Sequence, residues 1–328
     1  MRVLIVTNMW PSAERPELGS FVRDQVEALR ALGDPELELD CFAFAPGAYA
    51  AAARELRSSY GKQRFDVVHA HFGLTAWPSL VVGAELHGLT LHGTDLRHRR
   101  SRLITQAALP FIDLIGAASP ELAADVPGYP KREVEVLPCG VATDRFRPLD
   151  RQQVRAELGL QSEGRYLLFP ADPARAQKRH DRALAIANRC DAQLLTLGSV
   201  DPRQVPLWIN AANAVVVPSE KEGFGLAVLE ALACEVPLCC TATGIHEAAT
   251  RGIEGAHCLA YDELAWSDLL GDSLSQPNLR ISARERALEF SAERMAERLL
   301  GAWRVRLGSP LDSAAASNEE NLKQTPWD

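Results

Sequence analysis

The sequence predicts an α/β chain of two doubly wound, parallel-sheet domains in tandem. Three observations carry that expectation. Short apolar runs alternate with amphipathic stretches of helical spacing. The runs are apolar at consecutive positions, as strands covered on both faces must be. The rhythm pauses near residue 150 and starts again, and 328 residues suit two domains of about 150 each.

In the first half, Val3–Val6 reads as a buried strand. Phe21–Leu32 reads as a helix, with Phe21, Val22, Val26, Leu29 and Leu32 near helical spacing and Gly33 as its stop. Leu37–Phe44 is a strand, Ala50–Tyr60 a helix, Val67–His71 a strand and Leu74–Val82 a helix. Leu89–His92, Asp113–Ala118 and Val134–Pro138 follow as strands, separated by helices over Arg97–Leu109 and Pro120–Val126. The charged, proline-bearing stretch Asp144–Asp150 reads as the linker. The second half opens with a short helix, Val154–Leu158. Strands are expected at Tyr166–Pro170, Gln193–Leu197, Ala214–Pro218, Val236–Cys240 and, weakly, His257–Leu259. Helices are expected at Arg179–Arg189, Val205–Ala212, Gly225–Cys234 and Ile245–Thr250. The end is helical, notably Glu293–Leu307. The domains are thus 1–148 and 149–308, the last helix being free to pack back on the N-terminal domain. The polar, aperiodic stretch 309–328 reads as a disordered tail.

Composition narrows the function. Hydrophobic residues make up 47% and charged residues 24%, which suits globular domains. The net charge of −8 argues against general nucleic-acid binding, which needs a basic footprint. The seven cysteines form no CxxC pair, so a zinc ribbon is not expected, and most lie in apolar runs as buried free thiols. The odd count, with no signal-peptide-like start, fits a reducing cytoplasm. No uninterrupted apolar run is long enough to span a bilayer.

In open α/β sheets, ligands bind beyond the carboxyl ends of strands. The most informative segment there is Pro218-Ser219-Glu220-Lys221-Glu222-Gly223-Phe224-Gly225-Leu226, a strand end, a glycine-bearing loop and a helix start. Free N–H groups and the helix dipole at such a start attract phosphate, and glycine lets a ligand come close to the backbone. Glu222 precedes the helix, and Glu230 is expected about two turns along it. Two carboxylates so placed suit a sugar hydroxyl and a ribose diol. A tight strand–helix turn with two solvated acids explains the same residues. A dehydrogenase fingerprint is disfavoured, because the first strand lacks GxGxxG.

The run Glu222 to Glu230, as E-G-F-G-L-A-V-L-E, resembles the E-x7-E motif of the large retaining glycosyltransferase family 4. Further matches occur in order: Asn8-Met9-Trp10-Pro11, Gly19-Ser20-Phe21-Val22, Val67-Val68-His69-Ala70-His71, Leu91-His92-Gly93-Thr94-Asp95, Gly140-Val141 with Asp144, Phe146 and Pro148, and Asn213–Ser219. The resemblance covers nearly the whole chain before the tail. It implies the GT-B fold, two Rossmann-like domains facing across a cleft, with the donor on the C-terminal domain and the acceptor mainly on the N-terminal one. It also implies retention of anomeric configuration, no required metal and no cofactor beyond a nucleotide-diphosphate sugar as co-substrate. Envelope polysaccharide synthesis is the expected setting.

Residue roles follow from the resemblance. Lys178 and Arg175 lie after the first strand of the second domain, where fixed cations would stabilise charge on a departing diphosphate. The family's Gly-Arg pair is absent here, so Arg175 is a substitute; a solvated basic helix start is the plain alternative. His92 ends a strand and would touch the reacting sugar, where a structural histidine is otherwise the simpler reading. Glu222 would position the donor sugar, and Gly223, Phe224, Gly225 and Leu226 the diphosphate, with Glu230 at the ribose. Gly19 would bring the N-terminal loop to the phosphates; an ordinary loop glycine, with Ser20 as helix cap, competes. Gly244 and Glu247 either line the donor pocket or cap a helix. His69 and His71 share a strand face without an evident third metal ligand, and read as structural or cleft-lining.

Glu222 and Glu230 do not suit a glycosidase pair, whose carboxyls stand about 5 Å apart in retaining enzymes. Front-face transfer is the expected chemistry. Arg97, Arg99, Arg100 and Arg102 form a basic cluster that is either a solvated helix face or a contact for anionic lipid at the inner membrane face. Between Lys178 and Glu222 the chain is about one strand–helix unit shorter than in most relatives. Partners are therefore a nucleotide-sugar donor and a carbohydrate or lipid-linked acceptor. A nucleotide-sugar epimerase and a non-catalytic nucleotide-sugar-binding protein are the alternatives.

Overall fold

The computed structural model describes residues 1–198 and 200–308; the stretch expected to be a disordered tail lies outside the described residues. The chain divides into two compact units. One is Met1–Gly140 with Ala292 onward, the other Val141–Ser291.

The first unit runs β1 (Arg2–Thr7), α1 (Ser20–Ala31), β2 (Glu38–Ala43), α2 (Tyr49–Tyr60), β3 (Arg64–His71), α3 (Ala76–Ser79), β4 (Gly83–Leu91), α4 (Thr94–Arg97), α5 (Arg99–Ala108), β5 (Leu114–Ala117), α6 (Pro120–Ala124) and β6 (Glu135–Val136). The strands form one parallel sheet in the order β2-β1-β3-β4-β5-β6. Alternation along β1 shows why both faces are covered. Val3 and Ile5 pack with Val26 and Leu29 of α1, while Leu4 and Val6 pack on the other face with Leu56 of α2.

The second unit runs α7 (Arg151–Glu157), β7 (Tyr166–Phe169), α8 (His180–Arg189), β8 (Gln193–Thr196), α9 (Val205–Ala211), β9 (Ala214–Val217), α10 (Leu226–Ala233), β10 (Leu238–Cys240), α11 (His246–Thr250), β11 (Ala256–Cys258), α12 (Glu263–Ser275) and α13 (Arg284–Glu289). Its parallel sheet has five strands in the order β11-β10-β9-β7-β8, one fewer than the first. Leu167, Phe169, Ala214 and Val216 meet Ile186 of α8 and Trp266 and Leu270 of α12 on one face. Four arginines close the helix ends. Arg151 and Arg155 donate to the Asn210 and Ala211 carbonyls at the end of α9, and Arg280 and Arg284 to the Cys234 and Ala233 carbonyls at the end of α10. Cations belong at these termini, where unpaired carbonyls gather negative charge.

The final helix, α14 (Ala292–Arg306), belongs with the first unit and packs on α1. Leu299, Leu300 and the fully buried Trp303 extend the core of β1 and α1. The Trp303 indole N–H donates to His69 Nδ1 at 3.1 Å. Indole can only donate, so His69 carries its proton on Nε2, which donates to Thr90 Oγ1 at 2.8 Å.

Several expectations need correction. Asp144–Asp150 is not a free linker, because the second unit already begins at Val141. Phe146 is buried, and Arg284 holds the Thr143 and Phe146 carbonyls at 2.7 and 2.9 Å. Charged neighbours hid one buried aromatic. The helix expected over Leu74–Val82 is a 3₁₀ turn, Gly73–Thr75, followed by a single α turn. The helix expected over Arg97–Leu109 breaks at His98, whose backbone is extended. Ser20 is the first residue of α1 rather than its cap, which is Gly19. Helices α12 and α13 were not singled out; α12 is started by Asp262, whose carboxylate accepts from Ala265 N–H. Among the described residues no helix is long and apolar enough to cross a membrane.

Two predictions follow from the α14 packing. Trp303→Ala should cost about 3–5 kcal/mol, and Trp303→Phe, which leaves His69 Nδ1 without its donor, about 1–3 kcal/mol, both read as shifts of the urea midpoint. The second concerns pH. Burial pushes the His69, His71 and His92 pKa values down, His71 to about 3. The unfolded chain takes up these protons near pH 6.5 while the fold refuses them. The contribution of these three rings is therefore flat above about pH 6.5 and falls below it, by up to about 1.4 kcal/mol per pH unit for each imidazole. Denaturation at stepped pH measures the slope, which should shrink in His69→Gln.

Candidate active site

Strand order locates the chemistry. In each sheet the winding direction reverses beside the first strand, between β1 and β3 and between β7 and β9. Loops leaving those strands at their carboxyl ends diverge and open a crevice. In the second unit, Lys178 follows β7 and Glu222 follows β9. Lys178 Nζ lies 2.7 Å from both carboxylate oxygens of Glu222, and the two side chains are 13% and 7% exposed. Burial alone would raise the Glu222 carboxyl. The Lys178 ammonium, hydrogen-bonded to both oxygens, outweighs it and holds the group below its ordinary value.

Glu222 leads directly into α10, whose start has no side-chain cap. Gly225 caps it at φ 102°, and a Cβ there would meet His246 Nε2 at 2.5 Å. The Gly225 backbone is thus in a conformation few other residues adopt, pressed against a buried imidazole. His246 is itself fully buried. Its Nδ1 is 2.8 Å from the Thr241 carbonyl, which can only accept, so Nδ1 carries the proton. Its Nε2 has no hydrogen-bond partner among the described residues. Burial lowers its pKa despite Glu222, leaving a neutral ring. Phe224 is buried, and its carbonyl accepts from Ile245 N–H at 2.8 Å, tying the Glu222 loop to the loop after β10.

The other expected donor-site residues sit as follows. Gly223 and Leu226 are half-buried on the same loop and helix start. Glu230 is half-buried in α10, little more than one turn from its start rather than two. Arg175 is exposed on the β7 loop, and the cation placed on Glu222 is Lys178. Gly244 and Glu247 flank His246, the residue of this stretch that sequence reasoning passed over. A lone histidine between a glycine and a short helix carried no signal of its own.

In the first unit, His92 follows β4. Its Nε2 lies 3.1 Å from His71 Nδ1, the rings stack with centroids 5.3 Å apart, and Phe21 of α1 covers His92 at 4.9 Å. One of the two facing nitrogens donates and the other accepts, and burial keeps both rings neutral. Burial first, then His71, pushes the His92 pKa well below its ordinary value. His71 Nε2 is buried without a hydrogen-bond partner. The turn that presents His92 is held by Asp95, fully buried, whose carboxylate accepts from the N–H groups of His92, Gly93 and Gly73 at 3.0, 2.7 and 3.2 Å. Asp95 was quoted in a motif but given no role. Gly19 sits at the start of α1 with φ 67°, and a Cβ there would run into the Met9 carbonyl. Close packing of this loop against itself is therefore sufficient reason for glycine.

Arg97, Arg99, Arg100 and Arg102 are exposed along α4 and α5. Beside them, Leu103, Phe111 and Trp77 are 62%, 57% and 41% exposed. Trp77 stands 6.2 Å from Phe111 and donates to the Ile104 carbonyl. Among the described residues no group of three or more His, Cys, Asp or Glu is placed to hold a metal ion.

Known proteins share the architecture of both units. Residues 1–145 match the family model described as Glycosyltransferase Family 4, and residues 174–290 the model described as Glycosyl transferases group 1. A D-inositol 3-phosphate glycosyltransferase of Frankia alni is 28% identical over 276 residues, covering 66% of this chain and 67% of that relative. Sucrose-phosphate synthase of Thermosynechococcus elongatus has a similar structure, with a TM-score of 0.69 at 18% identity, covering 94% of this chain and 100% of that one. Anabaena HepE in complex with UDP and glucose gives a TM-score of 0.68 at 12% identity, covering 92% and 98%. These structural likenesses show the fold, which is GT-B, and the two family matches span both units: the chain belongs to the family 4 glycosyltransferases.

Proposed function

We propose that this glycosyltransferase takes a sugar from a nucleotide-diphosphate donor held on the second unit and passes it, with retention of configuration, to a hydroxyl acceptor. The observation that carries the reading is the buried Lys178–Glu222 pair at the switch point, beside the uncapped start of α10. A diphosphate suits that place: its charge meets the helix N–H groups and competes with Glu222 for the Lys178 ammonium. The freed Glu222 carboxylate then accepts from a hydroxyl of the donor sugar, and Glu230 takes the ribose diol.

In the transfer step the bond between the anomeric carbon and the diphosphate oxygen breaks. A bond to the acceptor oxygen forms on the same face, and the acceptor's proton passes to the departing phosphate oxygen. Lys178 and the start of α10 stabilise the charge that builds there, so the reading assigns no step to a metal or further cofactor. In the first unit, neutral His92 can offer a sugar hydroxyl a hydrogen bond without adding charge. Inositol phosphate, named in the Frankia alni relative, is the first acceptor to try, and uridine diphosphate, held by HepE, the first nucleotide.

We further propose that the first unit touches an anionic membrane surface. Arg97, Arg99, Arg100 and Arg102 would meet lipid phosphates while Trp77, Leu103 and Phe111 enter the headgroup layer.

A thermal-shift screen of nucleotide diphosphates and nucleotide sugars tests the donor reading. A selective ligand near 100 times its Kd adds about 2.7 kcal/mol of stability, and silence across the panel from a folded sample would overturn the assignment. With the donor found, Glu222→Gln should lower kcat/KM about 10²–10³-fold while leaving the fold intact. Lys178→Ala should lose donor affinity and also stability, since it strands a buried carboxylate. Product analysis by NMR separates transfer from epimerisation. On vesicles containing phosphatidylglycerol, Arg99→Gln with Arg100→Gln should weaken sedimentation about tenfold or more, and salt should do the same to the native chain. Equal binding to neutral vesicles would refute the membrane contact.

A further inference from the structure

Cys240 and Cys258 face one another across neighbouring strands. They are register partners of the parallel pair β10 and β11, so their side chains leave the same face of the sheet side by side. Adjacent strands lie about 4.8 Å apart, inside the Cα separation of about 4.4–6.8 Å that a disulfide spans. Strand β11 is the edge of its sheet, and Cys258 is half-exposed on it. It lines a cavity of about 330 Å³ with Glu247, Thr250, Arg251 and His257, wide enough for a small oxidant. The other cysteines lack this combination. Cys139, Cys234 and Cys239 are buried, with burial pushing each thiol up to about 12, and Cys41 lies in the other unit with its thiol pushed up to about 11. Cys258 alone is held below the ordinary thiol range, by the Cys240 thiol beside it.

Both cysteines adjoin residues that hold the donor loop. Cys240 precedes Thr241, whose carbonyl accepts from His246 Nδ1 and whose hydroxyl donates to the Ser219 carbonyl. Cys258 lines the same cavity as Thr250, whose hydroxyl donates to the His246 carbonyl at 2.8 Å.

We propose that Cys240 and Cys258 form a reversible disulfide on exposure to a peroxide, and that its closure displaces the His246 loop and weakens the donor site. The Cys258 sulfur attacks the peroxide: a sulfur–oxygen bond forms, the oxygen–oxygen bond breaks and water leaves. The Cys240 sulfur then attacks the resulting sulfenic acid, forming the sulfur–sulfur bond and releasing a second water. The two thiols are oxidised by two electrons in all, and the peroxide is reduced. A disulfide prefers Cα atoms about 5.5–6 Å apart, wider than the strand spacing of about 4.8 Å, so closure pushes β11 away from β10. Such a strained bond is readily reduced again.

The effect on the donor rests on the function proposed above; the disulfide does not. The full chain is treated with hydrogen peroxide and mapped by mass spectrometry. The expected result is a Cys240–Cys258 cross-linked peptide that dithiothreitol reverses and Cys258→Ser abolishes. Oxidation elsewhere without that link would overturn the proposal. Hydrogen exchange over residues 219–225 and 241–247 should rise on oxidation, and unchanged exchange would sink the coupling whatever the ligand. Uridine diphosphate should bind the oxidised chain about tenfold more weakly, while Cys258→Ser shows no peroxide effect. Should the reduced chain not bind it at all, the nucleotide assignment fails, and the cross-link and exchange still decide this proposal.

Discussion

A parallel sheet covered on both faces leaves its strand ends as the place where polar side chains can gather, and this constraint governs both units. Val3, Leu4, Ile5 and Val6 are wholly buried in sequence, so nothing along the middle of β1 can serve a ligand. The reversal of winding beside β7 then separates two loops just enough for a lysine from one and a glutamate from the other to meet. Their pairing makes burial tolerable. Either charge alone in that position would cost several kcal/mol, and the hydrogen bonds of both carboxylate oxygens to one ammonium offset much of that.

The two units use opposite electrostatics. The second holds a full ion pair; the first holds three imidazoles kept neutral by burial. Neutral rings can be stacked in a dry core at little desolvation cost, which is how His71 and His92 lie 3.1 Å apart without repulsion. His69 is locked into one tautomer by Trp303, because an indole can only donate. The last helix of the chain thus fixes the hydrogen-bonding sense of a strand laid down more than two hundred residues earlier in sequence.

The sequence was most informative where periodicity and end signals agreed. β1, α2, α8 and β9 lie within a residue or two of expectation, because an apolar run or stripe bounded by polar residues admits one reading. It was least informative where a single long-range contact decided the outcome. Phe146 and the reach of Arg284 turned a charged, proline-bearing stretch into the first structured part of the second unit. Pro78 lies in a stretch that periodicity made one helix and the fold made two short turns. In the candidate site, Lys178 and Glu222 were legible through a family motif, and their direct contact was not. His246 and Asp95 were silent because their importance lies in what they face: one in a backbone of φ 102° at Gly225, the other in three converging N–H groups.

That direct contact also constrains how a donor can bind. A diphosphate reaching Lys178 must replace Glu222 as its partner, so binding exchanges one ion pair for another rather than adding one. The exchange is favourable only if the carboxylate left behind finds new donors, since a stranded buried carboxylate is expensive. A sugar with a hydroxyl at the right position supplies them; nucleoside diphosphate alone does not. A site built this way holds the free nucleotide weakly and rejects sugars lacking that hydroxyl more strongly than an apolar pocket could, because the penalty is an unsatisfied charge rather than a lost contact. Selectivity for the donor sugar would then arise from the same pair that makes the empty site stable.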